Sequence, residues 1–152
     1  MYLEHLIKSV DKKYKKIPIS GISFDSRKVK KRNIFFAIDG NKISGSKFIH
    51  EAIFKGASAI ISNKKIKHKI PCVLVKNVRK SLAEASSKFF KKKPSKIIAV
   101  TGTNGKSSVA DFFYQILSLN KIPVASIGTL GILSKKYKKK IHLTSLDPVS
   151  LH

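Results

Sequence analysis

The sequence predicts an α/β protein in two parts: a small N-terminal α/β domain over 1–90, a linker at 91–95, and the start of a P-loop-type parallel-sheet domain over 96–152. Three observations carry this. Short apolar runs alternate with stretches of helical periodicity, the pattern of strands joined by crossover helices. The run Lys91-Lys92-Lys93-Pro94-Ser95 divides the chain, because like charges do not pack together and proline stops the helix before it. Beyond it, an apolar run feeds a glycine-rich turn that feeds an amphipathic helix.

The elements follow in order. Residues 2–10 place Leu3, Leu6, Ile7 and Val10 at helical spacing, which predicts a short helix. Residues 34–38 (Ile-Phe-Phe-Ala-Ile) read as a buried strand ended by Asp39-Gly40. Residues 48–55 read as a helix with Ile49, Ala52 and Ile53 on one face and Gly56 as its stop. Residues 57–61 form a second strand, 63–69 a charged loop, and 72–75 a third strand. Ser81 and Glu84 have capping-box spacing, predicting a helix that opens there and carries Leu82, Ala85, Ser86, Phe89 and Phe90 on one stripe. After the linker, 97–100 reads as a buried strand and 107–119 as a helix with Val109, Phe112, Phe113, Ile116 and Leu117 on one face. Residues 124–127 read as the next parallel strand, 128–131 as a turn, and the lysine run 135–140 around Tyr137 as a solvated hairpin or loop.

At 152 residues the chain fits one domain or two small ones. A hydrophobic share of 42% is enough for a core and too much for a wholly disordered basic tail. The single cysteine, Cys72, excludes an internal disulfide framework and fits the reducing cytoplasm. No apolar run approaches the length of a membrane span. The 32 Lys and Arg against 8 Asp and Glu give a formal charge of +24, which invites a nucleic-acid reading. The composition argues against it: arginine, the residue of bidentate phosphate and base recognition, stands only at 27, 32 and 79. The lysine tracts at 12–16, 91–93 and 135–140 lie outside every motif and fit a lysine-biased composition. His142 and His152 lack ligand spacing, and Asp111 and Asp147 have no partner set that places them on a metal.

The most informative segment is Val100-Thr101-Gly102-Thr103-Asn104-Gly105-Lys106-Ser107-Ser108. Glycines let consecutive N–H groups curl around phosphate oxygens, and the following helix adds its positive N-terminus. Lys106 is the residue expected to reach the β and γ phosphates, and the Ser107 hydroxyl the one expected to ligate Mg²⁺. Valine replaces the first glycine of the strict pattern at position 100, so the loop is a shorter variant that starts at Gly102.

Thr101 to Lys106 followed by a hydroxyl residue resembles the ATP loop of the Mur ligases and of the related folylpolyglutamate synthetases. Phe24-Asp25-Ser26-Arg27-Lys28-Val29, then 33–40, Phe48-Ile49, Ala52 and Gly56-Ala57 resemble the uridine-nucleotide domain that opens two of these ligases. Ser126-Ile127-Gly128-Thr129-Leu130-Gly131, with 143–148 downstream, resembles the type that adds the third peptide residue. These motifs run in order from about Gly21 to His152.

The resemblance implies a cytoplasmic, monomeric, ATP- and Mg²⁺-dependent ligase of peptidoglycan precursor synthesis, with no nucleic-acid or membrane partner. Its substrates would be UDP-MurNAc-L-Ala-D-Glu and a diamino acid, with diaminopimelate favoured over lysine. It assigns ATP contacts to Thr101, Gly102, Thr103, Asn104, Gly105, Lys106, Ser107 and Ser108, with Lys106 catalytic and Ser107 on the metal. It assigns UDP-sugar contacts to Phe24, Ser26, Asn41, Lys42, Ile43, Thr144 and Ser145. Asp25 and Arg27 read as a structural ion pair in a turn. Leu146 stands where relatives carry proline, and Ser108 and Ser145 where threonine is common. The family places further metal-binding acids, a modified lysine and an amino-acid-binding domain outside these residues, so the 152-residue chain is expected to be an inactive fragment. The expectation includes exposed apolar surface around Phe112, Phe113 and Ile127. The competing readings are the sibling ligase that adds D-Ala-D-Ala, a folate-type ligase, a non-catalytic nucleotide-binding module, and a nucleic-acid binder.

Overall fold

A computed structural model describes residues 1–40, 43–140 and 146–151. The chain divides into two compact units, one of Met1–Lys93 with Pro148–His152 and one of Pro94–Asp147. The sequence pattern assigns 148–152 to the second part, whereas helix α5 (Pro148–Leu151) packs on the first unit, with Val149 against its core.

The first unit is a four-stranded parallel sheet in the order β1 (Gly21–Ser23), β2 (Asn33–Phe36), β3 (Ala57–Ser62), β4 (Cys72–Leu74). Side chains alternate across the pleat, so each strand serves two cores. Ile34 and Phe36 of β2 and Ala59 and Ile61 of β3 meet helices α1 (Leu3–Leu6) and α3 (Val78–Phe89), with Leu3, Leu6, Val78, Leu82 and Ala85 buried among them. Phe35, Ala37, Ala57 and Ile60 meet helix α2 (Ile49–Phe54) on the other face through Ile49 and Ala52. Both faces are covered, as the near-continuous apolar strands require. A bulge where the register slips between Asn33 and Ile34 puts Ala57 and Ile60 on the same side.

Several elements differ from the sequence pattern for identifiable reasons. The apolar set Leu3, Leu6, Ile7 and Val10 is buried as the spacing predicts, but α1 ends at Leu6 because Ile7 is extended (φ −120°). Strand β1 was not legible, since three residues are too few for a period of two to register. Helix α3 opens before Ser81: Asn77 is its cap, accepting from the Lys80 amide through Oδ1 at 2.9 Å, so the 81/84 pair lies inside the helix. Gly56 does stop α2, at φ +97°.

The second unit consists of helix α4 (Lys106–Leu119) and a three-stranded antiparallel sheet of β5 (Ala125–Gly128), β6 (Gly131–Ser134) and β7 (Lys138–Lys139). Two expectations fail here. Residues 97–100 form no strand and are exposed, because among the described residues no neighbouring strand pairs with them. Residues 125–128 turn back through Thr129-Leu130 to pair antiparallel with β6 and are not part of a parallel sheet. The apolar face of α4 is correspondingly open: Phe112 is 62% exposed and Phe113 42%, with Ile127 of β5 at 42%. A buried side chain of that size contributes about 1.5–3 kcal/mol, and this face collects little of it. No helix among the described residues is long and apolar enough to cross a membrane.

Candidate functional site

All four strands of the first unit run the same way, so their carboxyl ends gather four connecting segments at one edge, where open parallel sheets bind ligands. Phe24, Asp25 and Ser26 follow β1, Asp39 follows β2, Asn63 and Lys64 follow β3, and Arg79 lies in the first turn of α3 after β4. Among the residues assigned to the UDP-sugar, Phe24 and Ile43 are exposed and Ser26 is buried. Asn41, Lys42, Thr144 and Ser145 lie outside the described residues.

Ser26 donates its hydroxyl to Glu51 Oε2 at 2.6 Å, and Glu51 Oε1 accepts from Lys55 Nζ at 2.7 Å. The Ser26 proton is therefore committed inside the fold, and toward a ligand this oxygen can only accept. Asp25 and Arg27 form the structural pair expected of them: Arg27 Nε and a terminal guanidinium nitrogen each reach an Asp25 oxygen at 2.9 Å, and the Arg27 amide donates to the same carboxylate at 3.0 Å.

Residues that the sequence did not flag organise the segment after β2. Asp39 Oδ1 accepts from the Ser44 hydroxyl at 2.5 Å and from the Gly45 amide at 2.9 Å, and Oδ2 from Asn63 Nδ2 at 3.3 Å. Lys64 Nζ donates to Ser44 Oγ at 3.0 Å, and Arg79 to the Asp39 carbonyl at 3.2 Å. The signal that could have found them is Asp39 five and six residues before Ser44-Gly45, a spacing at which a carboxylate can close a loop onto itself.

Three carboxyls in this region sit below their ordinary range, each held by hydrogen bonds. The Arg27 guanidinium does this for Asp25, the Ser44 hydroxyl and Gly45 amide for Asp39, and Lys55 with Ser26 for Glu51. Folded-state values below the unfolded ones mean that the unfolded chain binds more protons as pH falls. Stability from these groups is complete above the unfolded values, about 4, and is lost as pH drops through the folded values. The urea midpoint of the first unit is expected to hold between neutral pH and about 5 and to fall below about 4; an unchanged midpoint at acid pH contradicts these assignments.

In the second unit, Gly102 and Gly105 take φ values of +149° and +76°, which glycine adopts without strain and which turn the chain into α4. Gly105 is the N-cap and brings no side chain, while the first turn of any helix leaves its amides without intrahelical acceptors. Lys106 Nζ folds back over the loop, donating to the Gly102 carbonyl and to the Thr103 carbonyl at 3.0 Å. Ser107 Oγ lies 3.4 Å from Thr129 Oγ1, so the turn within Ser126–Gly131 reaches the start of α4 after the glycine-rich loop. Two hydroxyl oxygens suit a hard cation that takes its remaining ligands from phosphate and water. Among the described residues no group of three acids, histidines or cysteines could hold a metal ion. A cavity of about 240 Å³ beside β4, lined by Ser9, Asp11, Tyr14 and residues 71–74, includes none of the candidate residues.

A family model described as Mur ligase family, catalytic domain, matches residues 18–100. The UDP-N-acetylmuramoyl-L-alanyl-D-glutamate–2,6-diaminopimelate ligase of Bradyrhizobium diazoefficiens is 42% identical over 137 residues, covering 90% of this chain and 28% of that one. The ligase of the same name from Rickettsia conorii is 46% identical over 115 residues, 75% of this chain and 24% of that one. A solved structure of a UDP-N-acetylmuramoyl-L-alanyl-D-glutamate–2,6-diaminopimelate ligase aligns with TM-score 0.80 at 28% identity, over 99% of this chain and 32% of that one. The MurF ligase of Thermotoga maritima in complex with ADP aligns with TM-score 0.55 at 28% identity, over 64% of this chain and 23% of that one. The chain thus spans less than a third of the length of these relatives.

Proposed function

The chain belongs to the Mur ligase family, and on that premise we propose that it carries the uridine-nucleotide unit and the ATP loop of the ligase that adds diaminopimelate to UDP-MurNAc-L-Ala-D-Glu. The observation that carries this reading is the 42% identity to a ligase of that name across 90% of the chain. The first unit would hold the UDP-sugar at the carboxyl edge of its sheet, with Phe24 and Ser26 after β1 and Asn41, Lys42 and Ile43 after β2. Thr144 and Ser145 would meet the same substrate. Residues 101–108 would hold ATP.

Ligation of this kind needs an activated acid, because a carboxylate is a poor electrophile. A side-chain carboxylate oxygen of the D-glutamyl residue attacks the γ-phosphorus and ADP leaves. The amine of the diamino acid then attacks the acyl carbon, phosphate leaves, and an amide remains. Lys106 would give up its loop carbonyls for phosphate oxygens and offset the charge that gathers there, where catalysis is mostly positioning and electrostatics. Gly102 to Gly105 would present amides to the phosphates, and Ser107 and Thr129 would supply oxygens to Mg²⁺. When bound, Mg²⁺ neutralises phosphate charge. The cytoplasm is where ATP and the UDP-sugar would be supplied, and a monomer is sufficient for this arrangement.

The second unit by itself packs few apolar side chains around the loop, so the 152 residues are proposed to bind nucleotide-sugar without turning over ATP. The test is a chimaera in which these residues replace the matching segment of the Bradyrhizobium ligase. It is expected to release ADP only when UDP-MurNAc-L-Ala-D-Glu is supplied. A folded chimaera that releases none, or that responds equally to UDP-MurNAc-tripeptide, contradicts the reading.

A further inference from the structure

The turn that follows β1 is held from a second element. Ser26 opens a one-turn 3₁₀ helix (Ser26–Lys28), and its Oγ donates to Glu51 Oε2 of α2 at 2.6 Å. Lys55, just past the end of α2, donates from Nζ to Glu51 Oε1 at 2.7 Å and to the Arg27 carbonyl at 3.4 Å. The turn is thus gripped through a side chain and through its backbone. Inside it, the Asp25 carbonyl accepts from the Ser23 hydroxyl at 2.8 Å and from the Lys28 amide at 3.0 Å, which leaves Ser26 little freedom to shift. Ser26 is buried, so bulk water does not compete for its hydroxyl. Lys55 first, and the Ser26 hydroxyl next, hold the Glu51 carboxyl below its ordinary range. An ionised carboxylate only accepts, so the one hydroxyl proton of Ser26 points at Glu51 and a lone pair is what remains. A hydrogen bond to a charged acceptor is roughly twice as strong as a neutral one, so turning that hydroxyl round is costly.

We propose that Glu51, held by Lys55, is a positioning residue that fixes the hydrogen-bond polarity of Ser26, so that the first unit selects a base offering a ring N–H, uracil, over one offering a ring lone pair at the same place, cytosine. This rests on the reading of Ser26 as a contact to the uridine nucleotide and adds to it two residues that would not touch the ligand. Uracil N3 carries a hydrogen and can donate it to the Ser26 oxygen. Cytosine N3 carries a lone pair, which would face another lone pair unless the hydroxyl abandoned Glu51 and left that carboxylate short of a donor. A site built for one hydrogen-bond polarity rejects the mismatched analogue because its own polar groups are then left unpaired.

The test uses the whole chain with UDP and CDP as probes and reads the ratio of their dissociation constants. The wild-type chain is expected to bind UDP at least about tenfold more tightly than CDP. In Glu51→Gln the neighbour of Ser26 can donate as well as accept, so the hydroxyl is free to turn toward cytosine, and the two affinities are expected to come within about threefold of each other. Ser26→Ala, which removes the oxygen altogether, is expected to weaken UDP binding and to narrow the ratio likewise; it decides the matter where Glu51→Gln does not fold. A purely structural Glu51 would weaken both probes by the same factor. Equal affinity for UDP and CDP in the wild-type chain, an unchanged ratio in Glu51→Gln, or an unchanged ratio in Ser26→Ala overturns the role given to Glu51. Absence of UDP binding by the wild-type chain overturns the nucleotide-site reading beneath it.

Discussion

Gly45→Ala is expected to destabilise the first unit by about 3 kcal/mol, the upper part of the range for inserting atoms into a packed site. A Cβ at Gly45 would lie 2.4 Å from the Ile38 carbonyl oxygen and 2.6 Å from both the Ala37 carbonyl carbon and the Ile38 nitrogen. All three are backbone atoms of the chain leaving β2, so no rotamer change relieves the overlap. Displacing that backbone also strains the hydrogen bond from the Ala37 amide to the Ile61 carbonyl (2.9 Å), which joins β2 to β3. Domains of this size have about 5–15 kcal/mol in all, so the loss is a large part of the total. Gly40→Ala is the control, because the nearest atom to its Cβ would be the Ile43 carbonyl oxygen at 3.4 Å. Urea denaturation should separate the two variants clearly; equal midpoints contradict the close packing of Gly45.

Lys106→Ala is expected to lower kcat by about 10²–10³-fold, roughly 2.7–4 kcal/mol, in the chimaeric ligase that carries these residues. Lys106 bridges the Gly102 and Thr103 carbonyls, so its ammonium is held over the loop. Its removal takes away charge stabilisation needed while the phosphoryl group moves and alters none of the residues proposed to meet uridine. UDP affinity should therefore stay at the wild-type level while ADP release collapses. A variant that keeps its turnover would show that Lys106 has no part in phosphoryl transfer.

The parts of the fold that repeat a strong local pattern were legible. Residues 34–37 and 59–61 are apolar at consecutive positions, and those runs specify strands buried on both faces. Gly56 and the period of α4 fixed a helix end and a helix. What failed turned on which partner a segment takes. Residues 97–100 carry the composition of a strand and yet pair with nothing among the described residues, because a strand is defined by its neighbour. Residues 125–128 do form a strand, but they pair with β6 through a two-residue turn. The cap at Asn77 was missed because Ser81 and Glu84 offered a competing signature, and the side chain that won is the one whose oxygen reaches a free amide.

The candidate sites divided in a similar way. The glycine-rich loop proposed to hold phosphate is contiguous, so Gly102, Gly105, Lys106 and Ser107 are candidates from the sequence alone, whereas Thr129, brought beside Ser107 by the β5–β6 turn, needed the fold. The edge of the first sheet is assembled from four connections. Ser26 was visible as a polar residue in a turn, but its commitment to Glu51, 25 residues away, was not. Asp39, Asn63, Lys64 and Arg79 come together only because β2, β3 and α3 are adjacent. The formal charge of +24 invited a nucleic-acid reading that the scarcity of arginine argued against, and at this edge Lys64 and Arg79 are engaged with Ser44 and the Asp39 carbonyl.

The first unit is proposed to bind a uridine-nucleotide sugar at the carboxyl edge of its sheet. Calorimetric titration of the 152-residue chain with UDP-MurNAc-L-Ala-D-Glu tests it most directly. Saturable one-to-one binding is expected, abolished by excess UDP and only weakly dependent on salt. Failure of UDP to compete, or binding that is absent while the chain retains affinity for nucleic acid with a steep salt dependence, would contradict it.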